Sequence, residues 1–390
     1  MTDIKELDKQ YIAHTYNRFP IEIVSGKGSL LFGRDGKEYI DMGSGIGVSV
    51  FGSSDGEWVS AVTKQLSVLQ HTSNLYYTEP CARLAELLCE KTNGMARKVF
   101  FANSGAEANE CAIKAARKYG AKAKGEDYYK VLTLENSFHG RTLTTLAATG
   151  QEHYHELYRP LTPGFVHAPA NDFEAVKRTA LENKVCAILI ECIQGEGGVI
   201  ALEGDFVKKL RTFTEENGIL LMIDEVQTGN GRTGSLYAYM NYGIVPDVVT
   251  TAKGLSGGLP LGACLLGEKG EDVFGFGDHG STFGGNPVCC AGALSVLSRI
   301  DDKLLADVRK KSDYVFRTLS GAKGIESVTG MGLMIGIQTK KPVSEVLRFC
   351  QENGVLPLTA KTKLRLLPPI NIPFELLERA VSVIKTACED

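Results

Sequence analysis

Residues 219–253 constrain this chain more than any other stretch. An apolar run, Ile219-Leu220-Leu221-Met222-Ile223, stops at Asp224-Glu225-Val226-Gln227; after a glycine-rich turn a second run, Val248-Val249-Thr250-Thr251-Ala252, stops at Lys253-Gly254. Both runs are short, β-prone and almost without polar alternation, which is the pattern of strands buried on both faces of a parallel sheet. An acid and a lysine are thereby placed at two strand mouths, where the ligands of open α/β sheets gather.

The rest of the chain fits such a sheet. Residues 1–47 alternate short extended runs (21–24, 29–32, 37–42) with turns such as Arg34-Asp35-Gly36, a small β-meander. Gly43-Ser44-Gly45-Ile46-Gly47 is expected to be a flexible crossing, and a domain boundary is placed there. Helices are expected at 55–68 and 80–91, the second with Leu84, Leu87 and Leu88 on one face. From residue 98 the pattern becomes strand (99–102), helix (106–119), strand (130–134), helix (172–183), strand (185–192), helix (205–217), strand (219–226) and strand (248–251). Beyond Asn286 a long helix leads into a mixed segment ending at Asp390. The expectation is an α/β large domain over 48–285 and a smaller α+β domain built from 1–47 and 286–390.

Composition narrows the function classes. A 390-residue chain with net charge -3 offers no electrostatic reason to bind nucleic acid or an anionic membrane. Its first residues carry three acids and no apolar core, so neither a signal peptide nor an acid-poor transit peptide is expected, and no apolar run approaches the ~20 residues of a membrane span. Ten cysteines lack any Cys-x-x-Cys spacing, and Cys186, Cys192, Cys264, Cys289 and Cys290 sit in apolar surroundings. That is the usage of reduced, buried thiols, and a cytoplasmic location is expected. His153 and His155 have no third ligand at a sensible spacing; they are expected at the surface and no metal site is expected.

Other strand ends carry chemistry-bearing residues. Strand 99–102 opens through Asn103-Ser104-Gly105-Ala106-Glu107 into a helix, whose free amides suit a phosphate; Ser104 and Glu107 also have the capping-box spacing found at many unliganded helices. Strand 130–134 leads to Ser137-Phe138-His139-Gly140-Arg141-Thr142, where an aromatic face suits a flat ring and an arginine fork suits a carboxylate. Strand 185–192 ends at Glu191 and, on a glycine bend, Glu196; the pair reads either as a glycosidase-like acid couple or as an acid that meets a mobile arginine. The turn Gly229-Asn230-Gly231-Arg232-Thr233-Gly234 spells a dinucleotide-binding pattern with Asp247 downstream. Its glycines open no clean helix, Asp247 precedes a strand instead of ending one, and Asp224 and Glu225 would repel a pyrophosphate, so a nicotinamide cofactor is not expected.

The acid and lysine together match pyridoxal 5'-phosphate. A lysine partly desolvated at a sheet mouth is a usable nucleophile and base for the cofactor's aldehyde, and an acid at the pyridine nitrogen keeps the ring protonated so that it accepts electrons from a carbanion.

At this point the chain resembles the class-III aminotransferases. Asn103-Ser104-Gly105-Ala106-Glu107-Ala108, Ser137 to Thr142, Asp224 to Gly229 with Gly231-Arg232-Thr233-Gly234, Ala252-Lys253-Gly254 and Gly280-Ser281-Thr282-Phe283-Gly284-Gly285-Asn286-Pro287 carry the resemblance along essentially the whole chain. Supporting stretches are Thr15 to Pro20, Asp35 to Asp41 and His71 to Tyr77. Departures are Ser53-Ser54 after Gly52, where a histidine is common, Asn230 at a variable position of the glycine turn, and the basic run Thr359-Ala360-Lys361-Thr362-Lys363.

The resemblance implies fold type I (aspartate-aminotransferase-like) and a role for each matching residue. Lys253 and Asp224 would be catalytic. Ser104, Gly105 and Ala106 would hold the phosphate, with Thr282 added from the other subunit of a homodimer; Phe138 would stack on the ring and Gln227 would bond its hydroxyl. Arg141, with Ser281 nearby, would bind a substrate carboxylate, and Glu196 and Arg365 would form a switch that hides or offers an arginine. The implied reaction moves the terminal amine of N2-acetyl-L-ornithine to 2-oxoglutarate, giving N-acetyl-L-glutamate 5-semialdehyde and glutamate, a step of arginine biosynthesis. Ornithine, succinylornithine and γ-aminobutyrate are rival amines, and an aminomutase of the same fold is a further rival. Ile46, where ornithine-specific relatives typically place a tyrosine, tilts the choice toward an acylated amine.

Overall fold

The structure, a computed structural model, describes residues 3–389. Strands β1 (Ile23–Lys27), β2 (Leu30–Gly33) and β3 (Glu38–Asp41) form an antiparallel meander, as expected. The central sheet contains β4 (Lys98–Ala102), β5 (Lys130–Leu134), β6 (Phe165–Ala168) and β7 (Val185–Ile190); after a short hairpin of β8 (Ile193–Gln194) and β9 (Ile200–Ala201) it continues with β10 (Leu220–Asp224), β11 (Val248–Thr251) and β12 (Gly262–Leu266). Its order is β4-β12-β11-β10-β7-β5-β6, and β12 alone runs antiparallel to its neighbours.

Alternation along these strands divides the core into two layers. Ile188 and Ile190 of β7 and Leu221 and Ile223 of β10 point into one layer, while Ala187, Leu189, Leu220 and Met222 point into the other. The second layer is covered by helix Gly105–Lys124, which presents Cys111, Ala112, Ala115 and Ala116 to the sheet. Small side chains let this helix lie close: a Cβ on Gly120 would stand 2.0 Å from the carbonyl oxygen of Tyr128. Helices Phe173–Glu182 and Gly204–Glu216 lie on the first layer, packed on β6 and β10 respectively.

Two strands of the central sheet were not anticipated, nor was the β8–β9 hairpin. β6 is half-exposed at the sheet edge and interrupted by His167; β12 is five residues long and follows Gly257, Gly258 and Pro260. The expected long helix beyond Asn286 is two, Pro287–Leu297 and Asp302–Leu319. They lead to β13 (Ile325–Met331), β14 (Met334–Thr339), β15 (Val355–Leu356), β16 (Leu358–Ala360) and β17 (Lys363–Leu366). Strands β13, β14, β17 and β16 make an antiparallel sheet, whereas β15 joins the N-terminal meander, parallel to β3.

The segment 43–47 is a pinned turn, not a flexible crossing. Asp41 Oδ1 accepts from the amides of Gly43 (2.9 Å) and Ser44 (2.7 Å), and Ser44 Oγ donates to the Leu367 carbonyl at 2.6 Å. Ser53 pairs with Gly28 through two backbone bonds, N–H of Gly28 to O of Ser53 at 2.7 Å and the reverse at 2.8 Å, so the departure after Gly52 seats on the β1–β2 turn. All ten cysteines are unpaired, eight of them buried.

Glu225, the residue after β10, is fully buried. Its Oε1 accepts from the Tyr239 amide at 2.9 Å and its Oε2 from Thr228 Oγ at 2.5 Å, which ties the glycine turn to the sheet. Burial pushes its carboxyl up to about 7 against these bonds. A carboxyl whose folded pKa is raised holds its proton in the folded state first, so its contribution is full below about pH 4.5 and is lost as pH rises to about 7. Denaturant unfolding of wild type and Glu225→Gln between pH 5 and 8 is expected to show wild type losing stability relative to the variant on going up in pH, by on the order of 3 kcal/mol over the whole window. Parallel pH curves would contradict it.

Candidate active site

The carboxyl ends of β4, β5, β7, β10 and β11 open on one cavity of about 640 Å³, lined among others by Ser104, Phe138, Arg141, Asp224 and Lys253. Of the expected site residues, Ser104, Gly105, Ala106, Phe138, Arg141, Asp224, Gln227 and Lys253 line it together.

Asp224, 4% exposed, ends β10, and three donors face its side chain. Oδ2 accepts from Asn109 Nδ2 at 2.8 Å and from His139 Nδ1 at 2.9 Å; Oδ1 accepts from the Val226 amide at 3.0 Å. Lys253 follows β11 with φ 42°, a left-handed conformation that a non-glycine residue adopts at a cost of roughly 1–3 kcal/mol. Burial pushes its amine below its ordinary value; Glu196 opposes that shift, Arg365 adds to it, and Asp224 and Glu191 oppose it.

Helix Gly105–Lys124 begins at the cavity with Ser104 as N-cap, its hydroxyl accepting from the Glu107 amide at 3.2 Å. Glu107 Oε2 returns to the Asn103 amide at 2.8 Å. The cap uses the amides of Asn103 and Glu107 and leaves those of Gly105 and Ala106 to the cavity. A Cβ on Gly105 would meet Val226 Cγ1 at 2.6 Å, so Val226 fills the space that a larger residue would need.

On the loop after β5, Phe138 stands edge-on to Tyr154 at 5.6 Å, and the exposed Arg141 guanidinium lies 5.8 Å from the Phe138 ring and 5.1 Å from that of Tyr154. The Phe138 amide donates to Glu191 Oε2 at 2.9 Å, and the Gly195 amide to Glu191 Oε1 at 3.2 Å. Burial and the nearby Asp224 charge raise Glu191 well above the usual carboxylate range.

Glu196, on the turn after β8, and Arg365, on β17, meet: Arg365 Nη1 donates to Glu196 Oε1 at 2.5 Å and to Gln227 Oε1 at 3.2 Å. Burial works to raise Glu196, yet the Arg365 guanidinium overcomes it and holds the carboxyl low. Gln227 is thus engaged by the arginine. Lys361, from the basic run before Arg365, reaches Asn136 Oδ1 at 2.5 Å and so touches the loop that carries Phe138.

Ser281 and Thr282 lie apart from this cavity. Ser281 Oγ accepts from Asn103 Nδ2 at 3.1 Å, but Thr282 is exposed, and both line a separate surface hollow with His71 and Asn74. Ile46 is 42% exposed with φ 65°, and the cavity residue from its turn is Val48. His155 corrects an expectation: it is buried, Nε2 donating to the Leu146 carbonyl at 2.9 Å. No cluster of three metal-ligating side chains occurs among the described residues. Asp247 serves the sheet, accepting from Arg211 Nη1 at 2.8 Å, the Leu221 amide at 2.8 Å and Lys269 Nζ at 3.1 Å, and is not available to a ribose. Sequence reasoning gave no role to Asn109, Val226, His139 or Tyr154; His139 and Val226 lay within motifs singled out, and a helix residue one turn past the start that faces the cavity carries no signal of its own.

The model of the aminotransferase class-III family matches residues 11–388. The chain belongs to the class-III aminotransferases. It is 49% identical over 383 residues to the acetylornithine aminotransferase of Haemophilus ducreyi, covering 98% of this chain and 97% of that one. With the acetylornithine aminotransferase of Methanocaldococcus jannaschii it shares 42% over 385 residues, 97% of this chain and 96% of the other. Among solved structures, N-acetylornithine aminotransferase from Stenotrophomonas maltophilia superposes with TM-score 0.84 at 32% identity, covering 98% and 97% of the two chains. Ornithine aminotransferase from Toxoplasma gondii superposes with TM-score 0.94 at 29% identity, covering 99% and 94%.

This protein is therefore a pyridoxal-phosphate-dependent aminotransferase of fold type I. The cavity fits that cofactor: free helix amides stand at one side, a lysine at another, and Asp224 at the floor. In protein stripped of cofactor, the lowered pKa leaves more of Lys253 neutral at pH 8 than of an ordinary exposed lysine. An amine-directed reagent used below saturation is expected to label Lys253 first, read by peptide mass spectrometry; labelling no faster than the exposed lysines would show that its amine is not depressed.

Proposed function

We propose that the protein transfers the terminal amine of N2-acetyl-L-ornithine to 2-oxoglutarate, giving N-acetyl-L-glutamate 5-semialdehyde and L-glutamate, a step of arginine biosynthesis. The observation that carries the reading is the pairing of one arginine with a carboxylate beside a second arginine that is free: Arg365 is closed by Glu196, while Arg141 stands open over Phe138. The names of the relatives at up to 49% identity agree with it.

Bound pyridoxal phosphate supplies the electron sink for the carbanion at the amine-bearing carbon. Lys253 would hold the cofactor through its aldehyde and, with its amine free, would be the base that moves the proton at the substrate's amine-bearing carbon. Its lowered pKa suits a base that must be neutral when it acts. Asp224 would hold the ring nitrogen in its protonated form, Phe138 would cover a ring face, Gln227 would bond the ring hydroxyl, and Ser104 with the Gly105 and Ala106 amides would take the phosphate. Arg141 binds the carboxylate of the acylated donor. With Glu196 closed on it, Arg365 is hidden from that substrate; glutamate's α-carboxylate displaces Glu196 and takes the arginine, so one cavity serves two substrates in turn.

The active assembly in this proposal is a homodimer in which Thr282 completes the phosphate site of the other subunit. Exposed Leu75, Tyr76 and Tyr77 support it, since Asn74 beside them is bonded to the Ser281 and Gly284 carbonyls at 3.0 and 2.9 Å and the patch adjoins the Thr282 loop. The β3–β15 pairing supports a small domain of 1–47 and 286–390 against a large one of 48–285. Ten unpaired thiols support a reducing, cytoplasmic location, and no helix among the described residues is long and apolar enough to cross a membrane.

With no keto acid present, N-acetylornithine is expected to bleach the yellow cofactor band at lower concentration than ornithine, succinylornithine or γ-aminobutyrate, and 2-oxoglutarate to restore it. Stronger bleaching by a rival amine would transfer the assignment to that amine. Lys253→Ala is expected to lose turnover by about 10²–10⁴-fold; full turnover would sink the mechanism. Glu196→Ala, which leaves Arg365 open, is expected to lower kcat/KM for N-acetylornithine more than for glutamate, and an equal loss for both would remove the switch. Sedimentation should give twice the 42.2 kDa chain mass, with Thr282→Ala holding the cofactor more weakly; a fully active monomer would refute the shared site.

A further inference from the structure

Asp224 has roughly four acceptor positions on its two oxygens, and three are filled from within the protein. Both on Oδ2 are taken, by Asn109 and His139, and one on Oδ1 by the Val226 amide. One position on Oδ1 is left for a donor in the cavity. The amide that fills Oδ2 is itself fully committed: Asn109 Nδ2 also donates to the His139 carbonyl at 2.8 Å, and Asn109 Oδ1 accepts from Thr250 Oγ at 2.6 Å. All of this is buried, Asn109 at 1% and Thr250 at 0% exposure. Turned over, the Asn109 amide would set its oxygen against two acceptors, Asp224 Oδ2 and the His139 carbonyl, so its orientation is unique.

The parts that hold this arrangement come from two elements already at the site. Asn109 lies on the same helix whose first amides face the cavity, one turn further along. Thr250 lies in register with Asp224 on the neighbouring strand β11, and its β-branched side chain has little freedom at χ1. Helix and sheet thus meet at one amide, and that amide selects which oxygen of Asp224 is offered.

We propose that Asn109, oriented by Thr250, is a positioning residue for the cofactor's ring nitrogen: it saturates Oδ2 of Asp224 so that Oδ1 alone meets the pyridinium proton. The inference rests on the pyridoxal phosphate reading of the cavity and deepens it. Removing the Thr250 hydroxyl leaves Asn109 Oδ1 buried without a donor, and the amide no longer holds Oδ2 firmly; removing the Asn109 amide frees Oδ2 to compete for the ring.

The test uses the full-length protein stripped of cofactor and reconstituted with pyridoxal phosphate, comparing wild type with Thr250→Val, Thr250→Ser and Asn109→Ala. The readouts are the cofactor dissociation constant and the position of its visible absorption maximum. Thr250→Val and Asn109→Ala are expected to raise the constant about tenfold, the scale of one lost hydrogen bond to a charged group, and to move the maximum. Thr250→Ser, which keeps the hydroxyl, is expected to restore both. A residue that merely packs would leave the maximum in place, and Asn109→Ala carries the same readouts should Thr250→Val not fold. If wild type takes up the cofactor and the folded variants match it in affinity and spectrum, the positioning role is refuted and the functional reading stands. If wild type takes up no pyridoxal phosphate, both fall.

Discussion

A carboxylate buried at the mouth of a parallel sheet is the constraint from which the site follows. Asp224 is 4% exposed, and an ion so placed is tolerable only where donors replace water. The donors come from three directions: Val226 from the turn that β10 enters, His139 from the loop after β5, and Asn109 from the helix after β4. Satisfying one carboxylate therefore brings together the helix that opens on the cavity, the loop bearing Phe138 and Arg141, and the acid itself. The cavity is the space these three elements enclose while converging on one carboxylate.

The same region holds other acids shielded from solvent, and they are handled in two ways. Glu196 is kept ionised by Arg365 against its own burial. Glu191 and Glu225 have backbone donors but no cation, and both are pushed up, Glu225 to about 7. One rule covers all of them: a buried carboxyl keeps its charge where a cation or enough donors face it and takes up a proton where they do not. Lys253 sits among these groups, drawn toward its charged form by Glu196, Asp224 and Glu191 and away from it by burial and Arg365.

Much of this was legible in the chain. Uninterrupted apolar runs identified β5 and β11 to the residue and β7 and β10 closely, because strands buried on both faces leave no polar alternation to confuse them. Residues ending those strands were brought into one cavity by the parallel arrangement itself. What escaped lacked a local signal. β6 and β12 are short and marked by a histidine or by neighbouring glycines, and their pairing is decided by the sheet. Asn109 is an ordinary helix residue until the chain closes over 115 positions to Asp224. His155 reads as a solvated histidine, yet one carbonyl, that of Leu146, gives it a buried partner. The 43–47 turn reads as flexible because glycine permits many conformations, and it is Asp41 and the Leu367 carbonyl that choose one.

That choice reaches the substrate side of the site. Arg365 lies on β17, far from Lys253 and Glu196 in sequence, so its distance from Glu196 depends on how the C-terminal segment is fastened to the rest. The fastening uses the Leu367 amide on the Met42 carbonyl at 2.7 Å, the Ile370 amide on the Val50 carbonyl at 2.8 Å, and Arg232, buried at 1%, whose guanidinium donates to the Leu333 and Pro368 carbonyls and reaches Ser44 Oγ at 3.5 Å. Burial lowers Arg232 to about 9, with Asp41 opposing the shift. An ordinary pair of carbonyls would not require a charged side chain. A guanidinium supplies several donors in one plane, enough to clasp three separate backbone segments at once. The glycine turn that resembles a dinucleotide motif thus carries the clasp for the C-terminal segment, and the arginine that meets Glu196 stands where this clasp puts it.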